Sequence, residues 1–175
     1  LVMCGGTKEY APNNTHNIAL GRNLTDEDVR IGRSVVVLGY KVAEELFPWT
    51  DPIHKTIKID GRKFQVIGTF TEKKSAMGGN FDNYLLIPIT KYKRIYGKYR
   101  DDGITLNSVN ITVNAISPEQ LDKAIDETRL LMRQLRGLKP NQKDDFTIFS
   151  NKSNIDTFNK ITAGIKTGAF VIGIV

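Results

Sequence analysis

RSVVVLGYKVAEELFPWTDPIHKTIKIDGRKFQVIGTF, residues 33–70, is the stretch on which the fold turns. Val35, Val36, Val37 and Leu38 form a short β-branched apolar run closed by Gly39, which reads as a buried strand. Val42, Ala43, Leu46 and Phe47 recur at i, i+1, i+4 and i+5, the apolar stripe of a short helix. Pro48 ends it, because proline has no N–H to donate and its ring crowds the preceding turn. Asp51-Pro52 is a turn that launches a hairpin. Ile57 and Ile59 alternate with polar residues, Asp60-Gly61 supplies the two positive-φ positions of a type I′ turn, and Phe64 and Val66 alternate on the return. A loop of that length sets Ile59 opposite Arg62 and Ile57 opposite Phe64. The apolar side chains then share one face. Lys58 and Lys63 share the other, which must be solvated because like charges facing each other are destabilising.

The 175 residues suffice for one large or two small domains, and 40% hydrophobic with 25% charged residues is ordinary for a folded chain. The net charge of +6 permits contact with nucleic acid or an anionic membrane surface, but the basic residues are spread along the chain. Cys4 is the only cysteine, so no intrachain disulfide can form. His16 and His54 have no cysteine or carboxylate at ligand spacing, and neither a nucleophile elbow nor HExxH occurs. The sequence therefore offers no catalytic residue, no metal ligand and no cofactor site. TEKKSAMGGNFDN, residues 71–83, lacks the strand-to-helix setting and the Gly-Lys-Ser/Thr ending of a phosphate loop, which excludes a nucleotide site of that kind. The loop is long for a connection without structure of its own. Met77, Gly78, Gly79 and Phe81 in it are either a partner-contact surface or part of a plain connector.

Residues 1–20 read as a strand remnant followed by a loop. Thr25 is the expected N-cap of a helix, with Asp26, Glu27 and Asp28 in its first turn, where carboxylates complement the helix dipole. Capping is preferred to a metal site for this acidic group. Tyr84–Ile89 is a second strand, with Pro88 at its edge. KYKRIYGKY, residues 91–99, is a basic, aromatic helix or loop whose tyrosines either pack inward or meet nucleic acid or lipid head groups. A β-α-β unit is expected next. Val109, Ile111 and Val113 alternate as a half-buried strand, and Ser117-Pro118-Glu119-Gln120 reads as a capping box with proline at the first helical position. Leu121, Ala124, Ile125, Thr128, Leu131 and Leu135 line one face of a helix that closes near Gly137, and DFTIFS, residues 145–150, is the returning strand. GAFVIGIV, residues 168–175, is far shorter than the roughly 20 residues that cross a bilayer. Read alone, it is either a helix packed on the domain or the first turns of a membrane helix.

A run of short motifs, none specific alone, gains meaning from its order. It comprises Gly21-Arg22, Thr25-x-x-Asp28, Val37-Leu38-Gly39, Val42-Ala43, Leu46-Phe47, Asp51-Pro52-Ile53, Ile57-x-Ile59-x-Gly61, Phe64-x-Val66-Ile67-Gly68, Asp82-Asn83 and Ile87-Pro88-Ile89-Thr90. This order resembles the extracytoplasmic core domain of MacB-type ABC transporter permeases, a group that includes the lipoprotein-releasing LolC/LolE permeases and relatives of FtsX. His54 stands where that family usually carries glycine, which bears on the local turn type.

The resemblance implies an α+β fold with two lobes. Residues 1–22 would be a partial porter lobe or linker, with the family's opening β-α-β unit missing or represented only by residues 1–3. Residues 23–98 would be a mostly β sabre lobe, 99–156 the β-α-β part of an α/β porter lobe, and 157–175 the start of the second transmembrane helix. Gly21, Arg22, Gly39, Asp51, Pro52, Gly61, Gly68 and Pro88 become structural residues of the family pattern. The implied function is that of a bacterial inner-membrane permease whose domain lies on the periplasmic side. It would carry ATP-driven motion of transmembrane helices outward for export, efflux or lipoprotein release, an action termed mechanotransmission. The domain itself would not be an enzyme, since ATP hydrolysis would belong to a separate or fused cytoplasmic ATPase. Implied partners are that ATPase, a second permease copy, a periplasmic adaptor, carrier or hydrolase, and the membrane at the chain ends, but not nucleic acid. Two alternatives stand beside this: a free-standing basic domain that binds nucleic acid or polysaccharide, and an FtsX-like activator of a cell-wall hydrolase.

Overall fold

A computed structural model describes residues 2–73, 82–97 and 109–150. They fall in two compact units, one running to Val113 and the other starting at Asn114. The first is built on a mixed sheet and the second on one long helix, an α+β arrangement.

In chain order the first unit comprises β1 (Val2–Gly6), α1 (Tyr10–Asn13), β2 (Ile18–Gly21), α2 (Asp26–Ile31), β3 (Val35–Leu38) and α3 (Tyr40–Leu46). The hairpin strands β4 (Thr56–Ile59) and β5 (Arg62–Phe70) follow, then β6 (Tyr84–Pro88) and α4 (Ile89–Tyr96). The strands join in the order β1-β6-β3-β5-β2, with β4 also on β5. β3 runs parallel to β5 and antiparallel to β6, and β1 runs parallel to β6. All four residues of β3 are buried because the sheet is covered on both faces, which is why its sequence is a continuous apolar run rather than an alternating one. Val35, Val37, Ile67, Phe70, Tyr84 and Leu86 pack on one face with Ala11 and Leu24. Val36, Leu38, Phe64, Val66, Leu85 and Ile87 pack on the other, under Val42 of α3 and Tyr92 and Ile95 of α4.

The hairpin has the expected register, Ile59 with Arg62, Ile57 with Phe64 and Lys58 with Lys63. Asp60 and Gly61 hold φ of 47° and 75°, as a type I′ turn requires. α3 ends at Leu46, just before Phe47-Pro48, but Leu46 itself is half exposed and does not join the buried stripe. Asp51 opens the following turn by accepting the Ile53 N–H at 2.9 Å, and Pro52 is buried. His54 sits at φ 65°, a left-handed conformation open to histidine at modest cost.

Several expectations are corrected. Residues 10–21 are not a plain loop: they form α1 and the strand β2, which pairs with the end of β5. β1 and β2 belong to the same sheet as β3–β6, so the structure has no break between residues 22 and 23. Val109, Ile111 and Val113 form no strand and are 46%, 62% and 55% exposed, and residues 145–150 form none either. Alternation marks a chain suited to a half-buried sheet face, but a strand exists only where its N–H and C=O groups join a ladder. Among the described residues neither segment has a ladder partner.

The helix between those segments does form, as α5 (Leu121–Leu135), and Gly137 turns the chain out of it at φ 65°. Its predicted capping box does not form. Pro118–Gln120 is a 3-10 turn, and the Ser117 hydroxyl makes no capping bond to a backbone N–H. The stretch after α5 is tied back to the helix by ion pairs. Arg133 reaches Asp144 at 2.5 Å and donates to the carbonyls of Lys139 and Gln142, and Arg136 meets Asp145 at 2.7 Å.

Candidate functional site: the strand crossing around Asp28

β5 is longer than either strand on its outer edge, so β4 and β2 occupy that edge in tandem. The hand-over falls at residues 66–68. There His54 N–H donates to Val66 O at 2.9 Å, Val66 N–H to Lys55 O at 2.8 Å, and Arg22 N–H to Ile67 O at 2.8 Å. Gly21 and Gly68 make this crossing possible. A Cβ on Gly68 would lie 2.3 Å from the Arg22 carbonyl oxygen, and one on Gly21, at φ 73°, would lie 2.2 Å from that of Ile67.

Arg22 leaves the crossing toward α2. Thr25 caps this helix reciprocally: its hydroxyl accepts the Asp28 N–H at 3.2 Å, and the Asp28 carboxylate accepts the Thr25 N–H at 3.1 Å. The same carboxylate is fully buried. It also accepts from Arg22 Nη1 at 2.6 Å, the Thr25 hydroxyl at 2.9 Å and Arg33 Nη1 at 3.2 Å. Burial pushes the Asp28 carboxyl up, but the hydrogen bonds from Arg22 and Thr25 outweigh it and hold it below the usual aspartate range. One carboxylate thereby ties the β2 end, the α2 start and the approach to β3 together.

Of the pattern residues, Gly21, Arg22 and Gly68 meet at this crossing, with Asp51 and Pro52 in the turn just before His54. Gly39 lies at the far end of β3, where its N–H donates to Tyr84 O at 2.8 Å. Gly61 tips the hairpin and Pro88 ends β6. Met77, Gly78, Gly79 and Phe81 lie outside the described residues. The base of their loop is described: the buried Asp82 accepts the Lys73 N–H at 2.9 Å, closing the stem between β5 and β6.

Two features escaped sequence reasoning. Arg33 lies two residues before the VVVL run, and nothing local shows that it turns back to Asp28. His16 was read as a loop residue. Its ring in fact stacks on Tyr10 and meets Phe70 and Tyr84 with centroids 5.2–6.1 Å apart. Burial and the Lys73 charge push its pKa down, against a weaker pull up from Asp82. The Tyr84 hydroxyl beside it is buried without a hydrogen-bond partner among the described residues.

A family model described as the MacB-like periplasmic core domain matches residues 2–131. The chain belongs to that family. MacB of Chlorobaculum tepidum, a macrolide export ATP-binding/permease protein, is 33% identical over 74% of this chain and 19% of its own length. The pyoverdine export ATP-binding/permease protein PvdT of Pseudomonas aeruginosa is 31% identical over 79% of this chain and 20% of its own. The chain thus spans about a fifth of the length of these curated relatives. The MacB-like fold is seen again in the periplasmic region of MacB from Actinobacillus actinomycetemcomitans, with TM-score 0.59 and 20% identity over 90% of this chain and 64% of that one. The extracellular domain of the ABC-type transporter YknZ from Gram-positive bacteria gives TM-score 0.56 and 23% identity over 78% and 65%.

Proposed function

We propose that this chain is the extracytoplasmic domain of a bacterial inner-membrane ABC permease and that it passes ATP-driven motion of the membrane helices to partners outside, in support of export. The family match over residues 2–131 is the observation that carries this reading. In the proposal, the sheet of the first unit is the sabre-like lobe at residues 23–98 extended by β1 and β2. Residues 99–156 belong to the porter-like lobe, and 157–175 begin a membrane helix.

Transmission needs connections that do not dissipate motion. The crossing around Asp28 suits this, since backbone bonds and a buried carboxylate held by two half-exposed arginines fasten three segments at one point. ATP hydrolysis would reside in a separate or fused cytoplasmic domain, and the permease would work with a second copy. The loop above Asp82 would touch an adaptor, carrier or hydrolase.

The test uses the whole transporter that carries this chain. Met77→Ser with Phe81→Ser should leave the protein folded and the ATPase bound while export falls. Undiminished export would make the loop a plain connector. Separately, the purified chain should show no nucleotide turnover of its own; turnover abolished by a point substitution in this chain would overturn the non-enzymatic reading.

A further inference from the structure

On the face opposite the aromatic cluster, α3 and α4 leave a groove over the sheet. Its wider part, about 470 Å³, is bounded by Val42, Leu46, Phe47 and Ile57. Its narrower part, about 290 Å³, is bounded by Met3, Tyr92 and Tyr96. Ile59, Asp60 and Leu85 border both, so the two parts adjoin.

Among the described residues, Asp60 is the one charged residue bordering the narrower part. The Tyr96 hydroxyl donates to its carboxylate, and the Arg62 guanidinium donates to its backbone carbonyl at 3.4 Å, while no lysine or arginine among the described residues forms an ion pair with the carboxylate itself. Tyr92 and Tyr96 lie beside it, with ring centroids 5.0 Å apart and planes tilted by 44°. Lys58 borders only the wider part and stands opposite Lys63 in the hairpin register.

A carboxylate held by a phenol, two aromatic rings and an apolar floor complement one chemistry. The carboxylate and the ring faces attract a cation, and the floor takes an apolar body. We infer that this groove binds a small organic cation. Its ammonium sits against Asp60, Tyr92 and Tyr96, and its apolar body lies over Leu85 toward Val42 and Phe47. This assigns a ligand site that the family reading does not supply.

The test is calorimetric titration of the full chain with hexyltrimethylammonium, with hexanesulfonate as the anion of matched length. Saturable binding of the ammonium alone is expected. Amide NMR shifts should gather at residues 59–62 and 92–96. Asp60→Asn keeps a side chain that tolerates positive φ and should weaken binding about tenfold, or 1.4 kcal/mol. Tyr92→Leu keeps an apolar wall, removes a ring face and should also weaken it. Absence of saturable binding at millimolar ammonium, equal binding of the sulfonate, or unchanged affinity in both variants would each overturn the inference. None of these outcomes bears on the transport reading, which rests on the family match.

Discussion

Replacing Asp28 by alanine is the sharpest probe of the strand crossing. Removing one partner of a buried ion pair typically costs about 3–5 kcal/mol. Arg22 and Arg33 are 44% and 43% exposed, so both guanidinium groups regain water when the carboxylate goes. Their Coulombic share is accordingly discounted. The lost reciprocal cap contributes about 1 kcal/mol. The lost charge-assisted bonds contribute about 1–2 kcal/mol more. Asp28→Ala should therefore cost about 2–3 kcal/mol and lower Tm by roughly 5–10 °C. Asp28→Asn keeps the shape and loses the charge, and should fall between alanine and wild type. The pH dependence gives an independent check. The folded carboxyl titrates below its unfolded value, near 3.9, so its stabilisation is complete above that value and is lost as pH falls through the folded pKa. Urea denaturation at pH 7 and again near pH 2 should show the gap between wild type and Asp28→Asn narrowing in acid. Equal midpoints at pH 7, or a gap that ignores pH, would refute the role given to this carboxylate.

The hairpin faces predict that Phe64→Ala costs about 3–5 kcal/mol, since the ring is buried, while Lys63→Ala stays within about 0.5 kcal/mol; matching denaturation midpoints would show the faces are misassigned. Gly68→Ala would press a methyl on the Arg22 carbonyl and should cost about 1–3 kcal/mol by the same assay, with an unchanged midpoint speaking against so close a crossing. The His16 pKa is lowered in the fold, so its contribution is present above its unfolded pKa near 6.5 and is lost as pH falls through the lower folded value. His16→Phe should flatten the stability profile between about pH 7 and 5, and an identical slope would exclude His16 as its source. Trp49, the sole tryptophan, is 93% exposed and should be quenched by iodide almost as readily as the free amino acid; strong protection would mean that another surface covers it.

What the sequence made legible was set by the range of the interactions. The hairpin and β3 were readable because adjacent residues carry their pattern: alternation, an Asp-Gly turn and a β-branched run. β1 showed only as a strand remnant and β2 not at all, since their strand character comes from partners far along the chain, Tyr84–Pro88 for one and the end of β5 for the other. The segments at Val109–Val113 and 145–150 show the converse, a strand-like pattern with no ladder to join among the described residues. Thr25 and Asp28 were readable as a helix start. That Asp28 also gathers two arginines, one from each flank, depends on how the chain bends back and leaves no local mark. For the same reason the groove at Asp60 was invisible: its walls come from β1, α3, the hairpin, β6 and α4.

The five-residue parallel ladder between β1 and β6 also has a mechanical meaning. Tension drawn lengthwise along β1 would shear that ladder, loading all its hydrogen bonds together instead of peeling them one at a time. Tyr92 of α4 sits so close over Gly5 that even a methyl there would collide, at 2.5 Å from the Tyr92 Cβ, so the strand cannot ride up to escape the load. A pull on this strand would accordingly displace the sheet as a whole before it freed the strand.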